Sequence, residues 1–525
     1  MSAAAAMPAP APWFVPGDLD GYFGLFFSGL PDLLLIAGLL PLCGMDAAFI
    51  EQRVLPAVAL SIVGGNFFYA WQARRLAHQT GRSHVTAIPF GVNTPTIFAY
   101  IYLIMLPVYL RTHDAHLAWQ AGVFASFASG IVQTLGAFST NWLRKHTPRA
   151  ALLCPLAGIA LAYLCLGFIF GVFDKPAVAL LPAIVLLVVY ASRMRLPARI
   201  PGGLLCLVTG ALLAAVLRAL HLYAPPAVMA PAIGLHLPHP VNFADFLLHS
   251  GGWQYLSVIL PMSLLDTLVS LQILESVKLA GDDFPTMPSL LTNGLATLVA
   301  ACFGSPFPTT LYFGHMAYKE FGARTGYSIL SGITVAVVCM TGLVSATLRV
   351  VPMEVVAIVI VWFGLVMVGQ AFQEVKPAHC IAVAFGLIPM LAAWALGLVS
   401  LAITKAGSSL YTVAPLFGSE LPIAGMIALS QGAILVSMVW AAALAWIFDR
   451  RFLDASLWMA GAAVLSFFGL IHAYTLSPAG VENKLGIFAA PAFTLSYAAA
   501  ALFLVACHFY ARRARNPWIA ASLEE

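Results

Sequence analysis

Two aspartates and two interrupted apolar stretches hold most of the chemistry available to this chain. Asp32, in Gly29-Leu30-Pro31-Asp32-Leu33-Leu34, and Asp266, in Ser263-Leu264-Leu265-Asp266-Thr267-Leu268, each lie within a run of apolar residues. A carboxylate at bilayer depth costs about 2.5–3.5 kcal/mol on insertion scales, so it persists only where it meets water, a partner or a ligand. Both are therefore candidates for proton coupling, and Asp266 is also a candidate for holding a polar solute. Ser263, Asp266, Thr267 and Ser270 fall on one face at helical spacing, a polar stripe suited to lining a site. For Asp32 an interfacial capping role competes, because Pro31 precedes it and the apolar run strengthens only afterwards.

The interruptions are Phe90-Gly91-Val92-Asn93-Thr94-Pro95-Thr96 and Phe303-Gly304-Ser305-Pro306-Phe307-Pro308-Thr309, which share the lettering F-G-x-x-x-P-T. Gly, Pro and hydroxyl residues at these points cannot keep a lipid-facing helix intact, so the backbone must be shielded by protein or line a cavity. Paired breaks of this kind mark secondary transporters built from inverted repeats, whose half-helix amino termini turn toward a shared centre. Asn93, Thr94, Thr96, Ser305, Thr309 and Thr310 are the polar groups expected nearest that centre. The competing reading is that the match is chance and the hydroxyls only bond neighbouring backbone. His315, just past the second break, is a further candidate for proton coupling, or else satisfies a backbone carbonyl. Glu275, close to Lys278, reads as an exit residue, and Glu354, after Pro352, as a helix-start acid favoured by the dipole.

Composition names the solvent in which these groups work. Of 525 residues, 61% are hydrophobic and 9% charged, with a mean hydropathy of +0.93. A soluble domain carries about 25% charged residues, so this is a polytopic membrane protein. The net charge of +4 reflects bases in short loops and does not point to nucleic acid. The 8 cysteines show no C-x-x-C spacing and read as small core residues, with neither disulfide nor metal expected. No H-E-x-x-H, G-x-S-x-G or phosphate-binding loop occurs, so neither enzyme activity nor a cofactor is expected.

Positioning these groups takes about sixteen apolar segments of near-spanning length, two of them broken. Most of the 25 Lys and Arg fall on one side when the segments are threaded alternately, which places both termini in the cytoplasm. The chain then divides into a flexible cytoplasmic stretch at 1–23, a first repeat at 24–222, an outer loop at 223–252, a second repeat at 253–448, additional membrane helices at 455–511 and a tail at 512–525. The Pro- and His-rich outer loop is the natural joint between the repeats.

The stretch from Pro261 to Gly332, with L-L-D-T-L-V-S, T-N-G-L-A-T, A-C-F-G-S-P-F-P-T-T-L-Y-F-G and G-A-R-T-G, resembles the nucleobase-ascorbate transporter family, the xanthine/uracil permeases. Pro89-Phe90-Gly91 leading into Phe98-Ala99-Tyr100 is similar to the family's broken third segment. The resemblance implies an all-α 7+7 inverted-repeat fold with half-helices and short extended stretches in segments 3 and 10. Segments 1–4 and 8–11 would form a core and 5–7 and 12–14 a gate, with two C-terminal helices added to that plan. It implies an elevator-type symporter of a nucleobase-like solute, coupled to a proton or sodium, in the plasma membrane and as a homodimer. Asp266 would be the substrate-binding acid. The family's second acid is missing from Leu311-Tyr312-Phe313-Gly314-His315. That absence keeps open a sulfate-permease-like anion transporter, whose C-F-x-x-x-P-x-T lettering overlaps Cys302 to Thr309.

Overall fold

The computed structural model describes residues 12–192, 202–224, 233–242, 255–418, 420–478 and 480–513. In chain order the helices are α1 (Gly17–Leu39), α2 (Ala47–Thr80), α3 (Thr94–Thr112), α4 (Ala115–His146), α5 (Arg149–Asp174), α6 (Pro176–Ala191) and α7 (Gly202–Ala219). Then come α8 (Leu256–Leu279), α9 (Thr286–Cys302), α10 (His315–Glu320), α11 (Gly326–Met340), α12 (Leu343–Val350) and α13 (Met353–Gln373). The series ends with α14 (Cys380–Lys405), α15 (Ile423–Ser430), α16 (Ala433–Phe448), α17 (Phe452–Phe467) and α18 (Pro491–Arg513). Four short strands complete it: β1 (Phe90–Val92), β2 (Thr309–Leu311), β3 (Tyr474–Ser477) and β4 (Gly480–Asn483).

Among the described residues 10 helices are long and apolar enough to cross a bilayer, or 11 if α15 and α16, bent by 82° at Gln431-Gly432, count as one span. This is an integral, multi-pass membrane protein. The count falls below the expected number because α6, α9, α11 and α17 are apolar but only 10–17 residues long. The stretch that follows the second break is likewise no long helix but a loop, β2 and the six-residue α10. The anticipated tail at 512–525 and the amino-terminal eleven residues lie largely outside the described residues.

Local rules explain the boundaries that matter. A tight turn at Leu40–Cys43 extends α1 to Gly44, whose φ of 76° is the left-handed stop that glycine supplies. A Cβ there would stand 2.3 Å from the Tyr109 ring. At α3, Asn93 caps the amino end by accepting the Thr96 N–H at 2.9 Å, and Pro95 occupies the first turn, where its missing N–H costs nothing. Wide helical turns at Ile50–Val54 and Ile101–Met105 fall just before Pro56 and Pro107, where the ring and absent donor disrupt the ordinary ladder.

The chain separates into two compact units, one from Met1–Thr140, Leu166–Gly252 and Met262–Trp362, the other from Asn141–Cys165, Trp253–Pro261 and Phe363–Glu525. The core of the first is aromatic, with Tyr69, Phe90 and Tyr327 packed on Ile273, Leu274 and Leu311. In the second, Ala150, Cys154, Ala157, Ala382, Ala441 and Ala445 let helices approach closely, as small residues do where lipid gives no hydrophobic drive between helices. All eight cysteines are free, five of them buried, in keeping with their expected role as small core residues.

Candidate functional site

The two interrupted segments meet. β1 and β2 pair antiparallel, with Phe90 opposite Leu311, Gly91 opposite Thr310 and Val92 opposite Thr309. The ladder continues beyond the strands, since the Tyr312 N–H donates to the Pro89 carbonyl at 2.8 Å and the Asn93 N–H to the Pro308 carbonyl at 3.1 Å. The non-helical backbone of the breaks is thus satisfied by pairing across the repeats, as a bilayer would demand of it. Glycines make the crossing compact. A Cβ at Gly91 would lie 2.5 Å from the Tyr312 ring, and one at Gly65 on α2 would lie 2.1 Å from the Phe90 ring. Asn66 beside it donates to the Phe90 carbonyl at 3.1 Å, and the Ser328 hydroxyl donates to the Asn66 side-chain oxygen at 2.8 Å.

The shared lettering is not a shared register. In the first break Phe90 opens the strand and Pro95 starts the helix after it; in the second Phe303 ends α9 and Pro308 precedes the strand. Thr96 therefore sits in a helix and Thr309 in a strand, so the F-G-x-x-x-P-T match led to the right place by the wrong alignment.

Asp266 on α8 is buried against this crossing, 1% exposed. Its Oδ1 accepts from Asn93 Nδ2, and its Oδ2 from Gln133 Nε2 on α4 at 3.3 Å. The Thr96 hydroxyl lies 3.4 Å from Oδ2, while its better acceptor is Asn93 Oδ1 at 2.9 Å. The network runs on, for Thr297 on α9 donates to Gln133 Oε1 at 3.1 Å and its hydroxyl meets that of Thr309 at 3.0 Å. The expected polar stripe on α8 is there, but each member has its own partner: Ser263 meets Ser129 at 2.6 Å, Ser270 meets Thr310 at 3.1 Å, and Thr267 bonds back to the Ser263 carbonyl at 2.9 Å.

Asp32 forms a second node, 4% exposed, accepting from Thr94 Oγ1 at 2.7 Å and from Tyr312 Oη at 2.6 Å. The Tyr312 hydroxyl also lies 2.8 Å from the Val92 carbonyl. With Gly29, Phe26, Phe90 and Gly91, Asp32 and Tyr312 border a narrow cleft. Asp32 is therefore joined to both breaks rather than serving as an interfacial cap.

Of the expected residues, Asn93, Thr94, Thr96, Thr309, Thr310, Asp266 and Asp32 do gather at the crossing. Ser305 does not, since its hydroxyl is taken up within its own turn by Phe307. His315 belongs elsewhere too. Its ring nitrogens lie 3.1 Å from the Ala87 carbonyl and 3.1 Å from Asp282 Oδ2, so the backbone-carbonyl reading applies, together with an acid partner. Asp282 is fully buried and also meets Lys319 at 2.7 Å, Arg82 at 3.4 Å and the Thr86 N–H at 3.1 Å. Burial pushes its carboxyl up, but the His315 and Lys319 bonds and the Thr86 N–H outweigh that and hold it below 3.8. Glu354 is structural, salt-bridged to Lys175 at 2.9 Å and accepting from Tyr223 at 3.2 Å.

With this geometry the chain can be set beside known structures. Over 73% of its length it superposes on the transmembrane domain of the cyanobacterial bicarbonate transporter BicA, with a TM-score of 0.52, 14% identity and 96% of that chain covered. SLC26A9 matches over 71% of this chain and 62% of its own, with a TM-score of 0.53 and 13% identity. The fold is the 7+7 inverted repeat of these membrane domains. No protein-family signature and no curated protein sequence matches the chain.

These neighbours overturn the resemblance to nucleobase-ascorbate transporters, and with it the nucleobase and symporter expectations. The physical reason is visible at the crossing. Gly, Pro and Thr at a helix break answer the needs of the backbone there and do not specify a solute, and the stretch Leu311–His315, where the resemblance implied an acid, holds Tyr312. That phenol donates to Asp32 where a second acid was missed.

Sequence reasoning passed over Gln133, Thr297, Ser129 and Tyr312. A signal for the α4 residues was present: Ser126, Ser129 and Gln133 recur at helical spacing in an apolar run, the mark of a buried polar face.

Proposed function

We propose that this protein is a membrane transporter of a small anion. The observation that carries the reading is the state of the two carboxylates at the crossing. A bare intramembrane Asp266 would repel an anion. Asn93 and Gln133 take up its oxygens inside the protein, and Thr94 and Tyr312 do the same for Asp32. Charge-assisted hydrogen bonds of this kind spread and satisfy the negative charge. What remains at the end of β1 is the amino terminus of the 19-residue α3, the positive end of a helix dipole. The likeness of the fold to a bicarbonate transporter supports the same class of solute.

The test is uptake into proteoliposomes of labelled bicarbonate, sulfate and chloride beside xanthine and uracil. Saturable uptake of at least one anion and none of either nucleobase is expected. Nucleobase uptake without anion uptake would refute the reading.

A further inference from the structure

A separate cluster of cationic and hydrogen-bonding side chains, sharing no residue with the crossing, lies at the amino end of α2. Gln52 and Arg53, in the wide turn at Ile50–Val54, border an open recess with Phe49, His236, His239 and Leu237. The histidines come from the outer loop, whose described part is pinned by backbone: the His236 N–H donates to the Met340 carbonyl at 2.8 Å and the Val241 N–H to the Cys302 carbonyl at 2.8 Å. The recess is thus bordered by two anchored stretches of chain.

Arg53 is the informative member. Among the described residues it has no carboxylate partner, and its guanidinium stands 5.8 Å from the centre of the Trp119 ring. Membrane proteins commonly pair or solvate such a group, and a planar guanidinium beside an amide and two imidazoles matches the planar fork of an oxyanion. Trp119 in turn donates its indole N–H to the Gly304 carbonyl at 2.9 Å, in the loop that leads to β2.

We propose that Arg53, Gln52, His236 and His239 form a second, peripheral site for a small planar oxyanion, bicarbonate or a carboxylate, that captures it from the aqueous phase. Its role in capture rests on the transport reading above; its existence as a binding site does not. Arg53 supplies the bidentate contact, Gln52 and His239 complete the ring of donors, and Trp119 carries the presence of charge on Arg53 toward the second break.

The experiment is an intrinsic-fluorescence titration of the detergent-solubilised full chain with sodium bicarbonate and, separately, sodium acetate, sodium chloride holding ionic strength constant. A saturable change is expected with both oxyanions, absent in Trp119→Phe. The midpoint should rise at least tenfold in Arg53→Gln and severalfold in His239→Ala, whose imidazole caps the recess without supporting the core. An unchanged midpoint in either variant that keeps its thermal transition, or a signal that survives Trp119→Phe unaltered, overturns the site. Binding without uptake of any anion leaves the site standing and removes the transport reading; uptake without this binding does the reverse.

Discussion

The two breaks began as look-alikes in lettering and are built differently. At the first, β1 runs through Asn93 straight into α3, so strand, cap and helix dipole form one continuous piece. At the second, β2 gives way to Tyr312, Phe313 and Gly314, whose φ of 112° turns the chain, and only the six-residue α10 follows. A helix of that length has little dipole to offer, so the anion reading proposed above rests on α3, while the second break supplies a pairing strand and a phenol. Approximate symmetry of fold has been kept while the chemistry has been divided between the halves.

The largest expected effect breaks the first half of that comparison. Asn93→Ala removes the cap of α3 and a donor to Asp266 together, a loss of about 0.5–2 kcal/mol for the cap and about 1–3 kcal/mol for the stranded acceptor. Uptake should vanish, with a clearly lowered thermal transition. Next comes Gly91→Ala, whose new methyl has no room beside the Tyr312 ring; overpacking costs about 1–3 kcal/mol, and Gly91→Ala combined with Tyr312→Ala should regain part of it.

Tyr312→Phe probes the second half more gently. Thr94 still donates to Asp32, so about 1 kcal/mol is expected, with uptake reduced rather than abolished. An effect as large as that of Asn93→Ala would mean that the breaks share the work equally. Labelling sharpens the contrast in another way. A cysteine at the half-buried Thr94 should react with a water-soluble thiol reagent faster than one at Thr309, which is fully buried in the strand; equal rates would contradict the asymmetry.

The smallest effect concerns the loops that flank both breaks. Asp282 joins Thr86, ahead of β1, to His315 and Lys319, after β2. Its folded pKa is depressed, so its contribution to stability is complete above the ordinary value of 3.8 and is lost as pH falls through the lower folded value. Thermal unfolding from pH 5 down to 3 should therefore show a shallower acid loss in Asp282→Asn than in the unaltered chain.

Legibility followed the range of the interactions. The membrane class, the two breaks and the two carboxylates could be read because each is a local violation of apolar sequence with a local cost. Which residues would satisfy those carboxylates could not be read. Gln133 lies 133 positions from Asp266 and Tyr312 lies 280 from Asp32, and no local pattern links them. The number of long spans differs from the number of apolar segments for a related reason, since α9 and α11 are apolar but short, and apolar composition by itself does not fix where a helix ends.

By itself, then, the amino-acid sequence determined that the chain is a many-helix membrane protein, that helices must break near Pro95 and Pro308, and that Asp32 and Asp266 must find partners. These follow from hydropathy, from the missing donor of proline and from the cost of a charge in hydrocarbon, all of which act residue by residue. Only the tertiary structure decided that the breaks pair as antiparallel strands with Gly91 opposite Thr310, that their lettering is out of register, and that His315 serves Asp282 rather than the crossing. Strand register and hydrogen-bond partners depend on which distant segments are brought together, and that is settled by the packing of the whole first unit around Tyr69, Phe90 and Tyr327.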